Sequence, residues 1–371
     1  MIRTSLRLGA RTLAAAVIFG AATGASFADV LIGTAGPMSG QYASFGTQMR
    51  AGAEQAVADI NAAGGINGET LVLEVGDDSC KAEQAVAIAN QMVGKGVVFV
   101  AGHFCANPSI AASAVYADAG IVQISPATTD PKFTDERPGS GIYRIGRRDD
   151  QQAEIAGTYL ADAFVDQDIA ILHDKTAYGK GLADAVKAVM NDAGKVETLY
   201  EAFDAGAKDY SGLVSRLKSE GVDAVYLGGY HNEAGLIKRQ MSEQDLNAVL
   251  VTGDAVATEE FWSIAGEAGA DTLMTLAPDL HDKPQAAPVV EALEAAGKPA
   301  DGYTLFTYAA VQAFAQAARE VGTSEPAALV EALDAGTFPT VLGEVSFDEN
   351  GDATLPGFVW YEWRDGKYDP R

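Results

Sequence analysis

The chain has 371 residues, 48% hydrophobic and 21% charged, a globular balance that excludes extended disorder. Its formal net charge of −25 repels phosphate backbones and excludes nucleic acid as a partner. Two cysteines and four scattered histidines, His103, His173, His231 and His281, offer no zinc-type spacing, so no metal site is expected.

Arg3, Arg7 and Arg11, an apolar run over 13–22, and Ser26-Phe27-Ala28 form a secretory leader: a basic start, a short apolar core and small residues before the cut. Cleavage is expected after Ala28, which removes three positive charges and takes the net charge from −25 to −28. No cysteine stands at the cut to carry a lipid, and no later stretch reaches the roughly 18 apolar residues a membrane span needs. The mature chain of 343 residues is longer than one core tends to hold, so two domains are expected. Export places Cys80 and Cys105 where a disulfide persists, with two free buried thiols as the competing state. Closing a loop of 25 positions contributes about 3 kcal/mol in the chain-entropy account.

From Asp29 onward, short Val/Ile/Leu runs alternate with segments of helical period. A strand at 30–33 turns through Gly36-Pro37-Met38-Ser39-Gly40 into a helix whose stripe is Phe45, Met49, Ala53, Ala56, Val57 and Ile60, ending at Gly64-Gly65. Strands follow at 71–75, 97–100 and 121–124 with helices between them. After Tyr143-Arg144-Ile145 the pattern restarts, with a helix over 155–164 and strands at 169–172, 224–227 and 249–251. Beyond Pro278 come helices over 284–296, 304–318 and 325–333, then strand-like 341–347 and 357–363. Alternation of this kind makes βαβ units, so the expected fold is α/β: two doubly wound parallel-sheet lobes with a cleft between them. The late helical block followed by strands predicts a return to the first lobe and one more crossing.

Gly33-x-x-Gly36-x-x-x-Gly40 fits neither the dinucleotide nor the phosphate-loop spacing, and no G-x-S-x-G or H-E-x-x-H is present. No cofactor and no enzymatic activity are therefore expected. Ligands of α/β sheets sit beyond the carboxyl ends of strands. There the first half places Gly102-His103-Phe104-Cys105-Ala106-Asn107 and Ser125-Pro126-Ala127-Thr128-Thr129. The second half places His173-Asp174-Lys175-Thr176-Ala177-Tyr178-Gly179, Gly228-Gly229-Tyr230-His231 and Thr252-Gly253-Asp254-Ala255. Such groups suit a zwitterion. Helix N-terminal N–H groups and a threonine hydroxyl can hold a carboxylate, Asp254 and the Ala127 carbonyl an ammonium, and Phe45, Tyr178 and Tyr230 an apolar side chain.

Five blocks carry a resemblance over the whole mature chain: Gly52-Ala53-Glu54-Gln55-Ala56-Val57-Ala58-Asp59-Ile60-Asn61 with Gly64-Gly65-Ile66; Asp77-Asp78-Ser79-Cys80; Gly102-His103-Phe104-Cys105; His173-Asp174-Lys175 with Tyr178-Gly179; and Tyr226-Leu227-Gly228-Gly229-Tyr230-His231. The chain resembles the periplasmic branched-chain amino-acid binding proteins of ABC importers, of the type I solute-binding fold. The resemblance implies two lobes joined by three hinge strands, 29–148 plus 278–355 and 149–277 plus 356–371. It implies a Cys80–Cys105 disulfide and a ligand site of Phe45, Cys105, Ala106, Asn107, Ala127, Thr128, Thr129, Tyr178, Tyr230 and Asp254. Ala106 and Thr129 match the binders of the ligand's α-carboxylate and ammonium, and Asp254 the acidic residue that neutralises the ammonium. The family often has serine at the Ala106 position and glutamate at the Asp254 position. Here a backbone N–H with neighbouring Asn107, and a carboxylate shorter by one methylene, stand instead. The implied function is capture of an aliphatic amino acid in the periplasm by a monomer that delivers it to an inner-membrane ABC permease. The same fold taking another solute, such as an amide, a urea-like compound or an aromatic acid, for transport or sensing, is the alternative.

Overall fold

The computed structural model describes residues 1–2, 29–281 and 283–371, so the leader over 3–28 and its cleavage lie outside the described residues. The first half runs β1 (Val30–Gly36), α1 (Ala43–Ala62), β2 (Leu71–Asp77), α2 (Ala82–Lys95), β3 (Phe99–Gly102), α3 (Ala106–Ala119), β4 (Val122–Ser125), α4 (Lys132–Asp135) and β5 (Ile142–Arg144). Its five strands are parallel in the order β2-β1-β3-β4-β5. Gly96 and Gly120 take positive φ, 79° and 73°, directly after α2 and α3, where a left-handed residue closes the last turn.

The second half runs α5 (Asp149–Ala163), β6 (Ile169–His173), α6 (Ala177–Asp192), β7 (Leu199–Ala202), α7 (Ser211–Glu220), β8 (Ala224–Gly228), α8 (His231–Glu243), β9 (Val249–Thr252), α9 (Glu259–Ala265) and β10 (Leu273–Leu276). Then come α10 (Ala287–Ala295), α11 (Thr304–Val321), α12 (Pro326–Ala335), β11 (Phe338–Thr340), β12 (Gly343–Val345), β13 (Val359–Arg364) and β14 (Lys367–Pro370). The second sheet has the order β14-β13-β10-β9-β8-β6-β7, in which β13 pairs antiparallel with both β10 and β14 and the remaining pairs are parallel. Helices α10 to α12 return to the first sheet: Phe314 of α11 stacks on Phe99 of β3 with ring centroids 4.3 Å apart. The chain thus passes between the sheets three times, after β5, after β10 and after β12. Doubly wound sheets joined by three crossings are the architecture the sequence implied.

Local boundaries differ from the expectation in places. The third strand begins at Phe99 rather than Val97 and extends to Gly102, paired with Ala35. A Cβ on Gly102 would stand 2.5 Å from the Ala35 carbonyl oxygen, so only glycine lets the ladder run that far. The segment 341–347 is not one strand; β11 and β12 form a small hairpin around Val341-Leu342. Strand β14 escaped the sequence reading because an exposed edge strand reading Lys-Tyr-Asp-Pro shows no apolar alternation. No helix among the described residues is long and apolar enough to cross a membrane.

The crossings are tied by charge. Arg144, fully buried at the end of β5, donates from Nε to Asp352 Oδ1 at 2.7 Å and from Nη1 to the carbonyls of Thr128 and Asp130 at 3.0 and 2.8 Å. Arg148 reaches the same aspartate, Nη1 to Oδ2 at 2.8 Å. One carboxylate therefore fixes the first crossing against the segment that leads into the third.

Candidate ligand-binding site

The site is assembled where the carboxyl ends of both sheets face each other. From the first sheet, β3 runs into a loop pinned by His103, whose Nδ1 lies 2.6 Å from Asp78 Oδ2 and whose Nε2 lies 3.0 Å from the Tyr116 hydroxyl. Cys80 and Cys105 are disulfide-bonded, with Cα atoms 5.5 Å apart, and Cys105 is the N-cap of α3. The first-turn N–H groups of Ala106 and Asn107 are left without helical partners, which makes this end of α3 attractive to an anion.

The loop after β4 is knitted to that of β3. Ser125 Oγ donates to the His103 carbonyl at 2.8 Å and accepts from the Thr128 N–H at 2.9 Å. The Thr128 hydroxyl is spent on Ser109 and the Phe104 carbonyl, so it supports the wall rather than forming it. Ala127 and Thr129 face the space in front.

The second sheet supplies charge and aromatic cover. Thr176 caps α6 by accepting the Gly179 N–H at 2.9 Å, which aims Tyr178 of the first turn into the cleft. Tyr230, the N-cap of α8, lies beside it with ring centroids 5.1 Å apart. Asp254 is 6% exposed. Its Oδ1 accepts from the Tyr178 hydroxyl at 2.9 Å and from Gln152 Nε2 at 3.1 Å, and its Oδ2 accepts from the Tyr303 hydroxyl at 2.6 Å. Gln152 Nε2 also reaches Asp149 Oδ1 at 3.2 Å. Burial, then the Asp254 charge, push the Asp149 carboxyl well above the usual range, and a hydrogen bond from Thr129 draws it partly back. Among the described residues neither Asp149 nor Asp254 forms a salt bridge. Two buried acids thus share one hydrogen-bond network with no salt bridge among the described residues, an arrangement that a nearby positive charge would stabilise.

The space enclosed by Phe104, Ala106, Ala127, Thr129, Tyr178, Tyr230, Ala255 and Tyr303 is about 10 Å³, room for a single water in this conformation. A larger cavity of about 170 Å³ adjoins it and shares Ala127, Thr129, Asp254 and Tyr303.

Of the residues singled out from sequence, Ala106, Ala127, Thr129, Tyr178, Tyr230 and Asp254 come together here. Cys105 lies just behind, with its sulfur 3.7 Å from the Tyr230 hydroxyl. Phe45 stands one layer back, stacked on Phe104 at 4.5 Å. The Asn107 side chain is exposed at the second position of α3 and does not line the space. Sequence reasoning passed over Tyr303, Gln152 and Asp149, and quoted Phe104 only as part of a loop. Tyr303 precedes α11, far along the chain from its partners, and no local pattern marks it.

The periplasmic binding protein family matches residues 29–367. The chain is 46% identical over 361 residues to a Leu/Ile/Val-binding protein homolog of Brucella suis, covering 96% of each chain. It is 44% identical over 372 residues to an amino acid binding protein of Pseudomonas aeruginosa, covering 99% of each. In fold it is similar to the branched-chain amino acid transporter substrate binding protein LivJ of Streptococcus pneumoniae, solved with isoleucine, at a TM-score of 0.82 and 24% identity over 92% of this chain and 98% of that one.

Proposed function

The chain belongs to the periplasmic binding protein family, and from that premise we propose that it captures an aliphatic amino acid, of the Leu, Ile and Val class, between its two lobes. The buried Asp149–Gln152–Asp254 network without a paired cation carries this reading, because an α-ammonium is the charge it lacks. The carboxylate would lie on the N–H groups that open α3 and on Thr129, and the side chain against Phe104, Tyr178, Tyr230 and Tyr303. Binding energy comes from apolar burial and charge-assisted hydrogen bonds in a water-poor cleft. The names of the relatives support the class of solute.

Residues 29–148 with 278–355 form one lobe in this reading, and 149–277 with 356–371 the other. The protein works as an exported periplasmic receptor, with its leader cut after Ala28, and hands its solute to an ABC permease without chemical change. The test is calorimetric titration of the mature chain, refolded to strip any solute, against leucine, isoleucine, valine, alanine and glutamate. One-to-one binding of the branched residues is expected, and silence across all five would move the ligand outside this class.

A further inference from the structure

The larger cavity beside the cleft contains a cation that amino-acid capture does not use. Arg147 lies on the first crossing and is 6% exposed. Its Nε donates to the Pro356 carbonyl at 2.5 Å, ahead of the third crossing. Its guanidinium carbon stands 5.3 Å from the Phe306 ring centroid and 6.0 Å from that of Phe358. Both rings line the cavity of about 170 Å³. Among the described residues neither Nη nitrogen has a hydrogen-bond acceptor and no carboxylate pairs with the group. A guanidinium carries five N–H donors, so most of its donors are unspent, and burial without partners is costly. Burial lowers it to about 10, with the charge of Asp254 across the cavity wall opposing the fall, which leaves it charged at neutral pH.

We propose that this cavity is a second binding site, for a small monocarboxylate with an apolar body. The carboxylate is held by the two Nη nitrogens of Arg147 in the fork geometry that suits a planar anion. The body lies against Leu276, Leu305, Phe306 and Phe358. Arg147 is the only arginine or lysine among the described lining residues, whereas Asp254, Asp279, Asp301 and Asp369 also border the cavity, so a polyanion is disfavoured. Gly146-Arg147, Leu276 to His281 and Phe358 bring all three crossings to the wall. An acid bound there touches the segments that must flex for the lobes to part, and so it is coupled to the cleft.

The test is calorimetric titration of the mature protein with phenylacetate, in the absence and presence of whichever amino acid saturates the cleft. One-to-one binding that persists with the cleft filled is expected, with no binding of the neutral isostere phenylacetamide. Arg147→Gln should weaken phenylacetate at least tenfold while keeping one-to-one amino-acid binding. If that variant does not fold, Ala300→Phe, which fills the cavity with the arginine intact, should give the same loss. The proposal is overturned by no binding at about 10 mM phenylacetate, by equal affinity for the amide, by an unchanged Arg147→Gln or a folded, unchanged Ala300→Phe, or by one-for-one displacement by the amino acid.

Discussion

At the scale of single residues, the informative side chains are buried acids. Asp254 receives three hydrogen bonds yet has no salt-bridge partner among the described residues, so a ligand ammonium completes it. Asp254→Ala should cost about 2 to 5 kcal/mol of affinity, the loss that follows removal of one partner from a buried charge pair. Unchanged affinity in calorimetry would reject that role. Asp174 behaves differently. It is 2% exposed, its Oδ1 accepts from the Thr176 N–H and hydroxyl at 2.9 and 2.6 Å, and its Oδ2 is buried without a partner among the described residues. Burial pushes its pKa from 3.8 to about 6, with the charge of Glu233 adding to the rise and the Thr176 hydrogen bonds opposing it. A raised folded-state value means the folded protein holds the proton more tightly, so this stabilisation is complete below 3.8 and lost as pH rises through 6. Asp174→Asn should therefore gain up to about 3 kcal/mol at pH 8 and almost nothing at pH 4. Urea unfolding at both pH values checks this, and an equal effect at the two would refute it.

At the scale of elements, the helices were legible because their stripes and terminal glycines follow from local chemistry. The apolar stripe of α1 was read residue by residue from Phe45 to Ile60, all but Val57 of it buried. The reason for Gly52 inside that helix was not legible. A Cβ there would stand 2.1 Å from the carbonyl oxygen of Thr304, the first residue of α11. The glycine exists so that two helices distant in sequence can touch at backbone distance. Gly52→Ala should destabilise the fold by about 1 to 3 kcal/mol through overpacking. It should also weaken ligand binding, since pushing back the start of α11 moves Tyr303. A thermal melt with a parallel titration tests both, and a variant as stable as the parent would show that α11 yields freely. Strand ends were less legible than helices, as β3 and β14 show, because a ladder stops where its neighbour stops.

At the scale of the whole molecule, the two sheets are linked by three crossings and touch across the cleft. Tyr42 of the first half and Tyr230 of the second lie with ring centroids 4.4 Å apart, and Asn232 Nδ2 donates to the Gln41 carbonyl at 3.0 Å. With about 10 Å³ between the facing walls, a leucine-sized solute enters only when those contacts part. Small-angle scattering should therefore give a larger radius of gyration for the stripped protein than for the saturated one, since the ligand touches both lobes only when they are closed. Identical curves would exclude lobe closure as the capture step.

The sequence by itself determined the alternation of strands and helices, the two doubly wound units, and the loops where a ligand would sit. Those features depend on side-chain periodicity and on residues near one another in the chain. It also carried six of the residues that meet at the cleft, because each stands in a loop beyond a strand's carboxyl end or at the start of a helix. Only the tertiary structure decided that Tyr303 from the late helical block joins Tyr178 on Asp254. The same holds for Gln152 bridging two acids, and for Arg147 facing an adjoining cavity. Their partners lie on other elements, and a hydrogen bond between distant segments leaves no periodic trace in either of them.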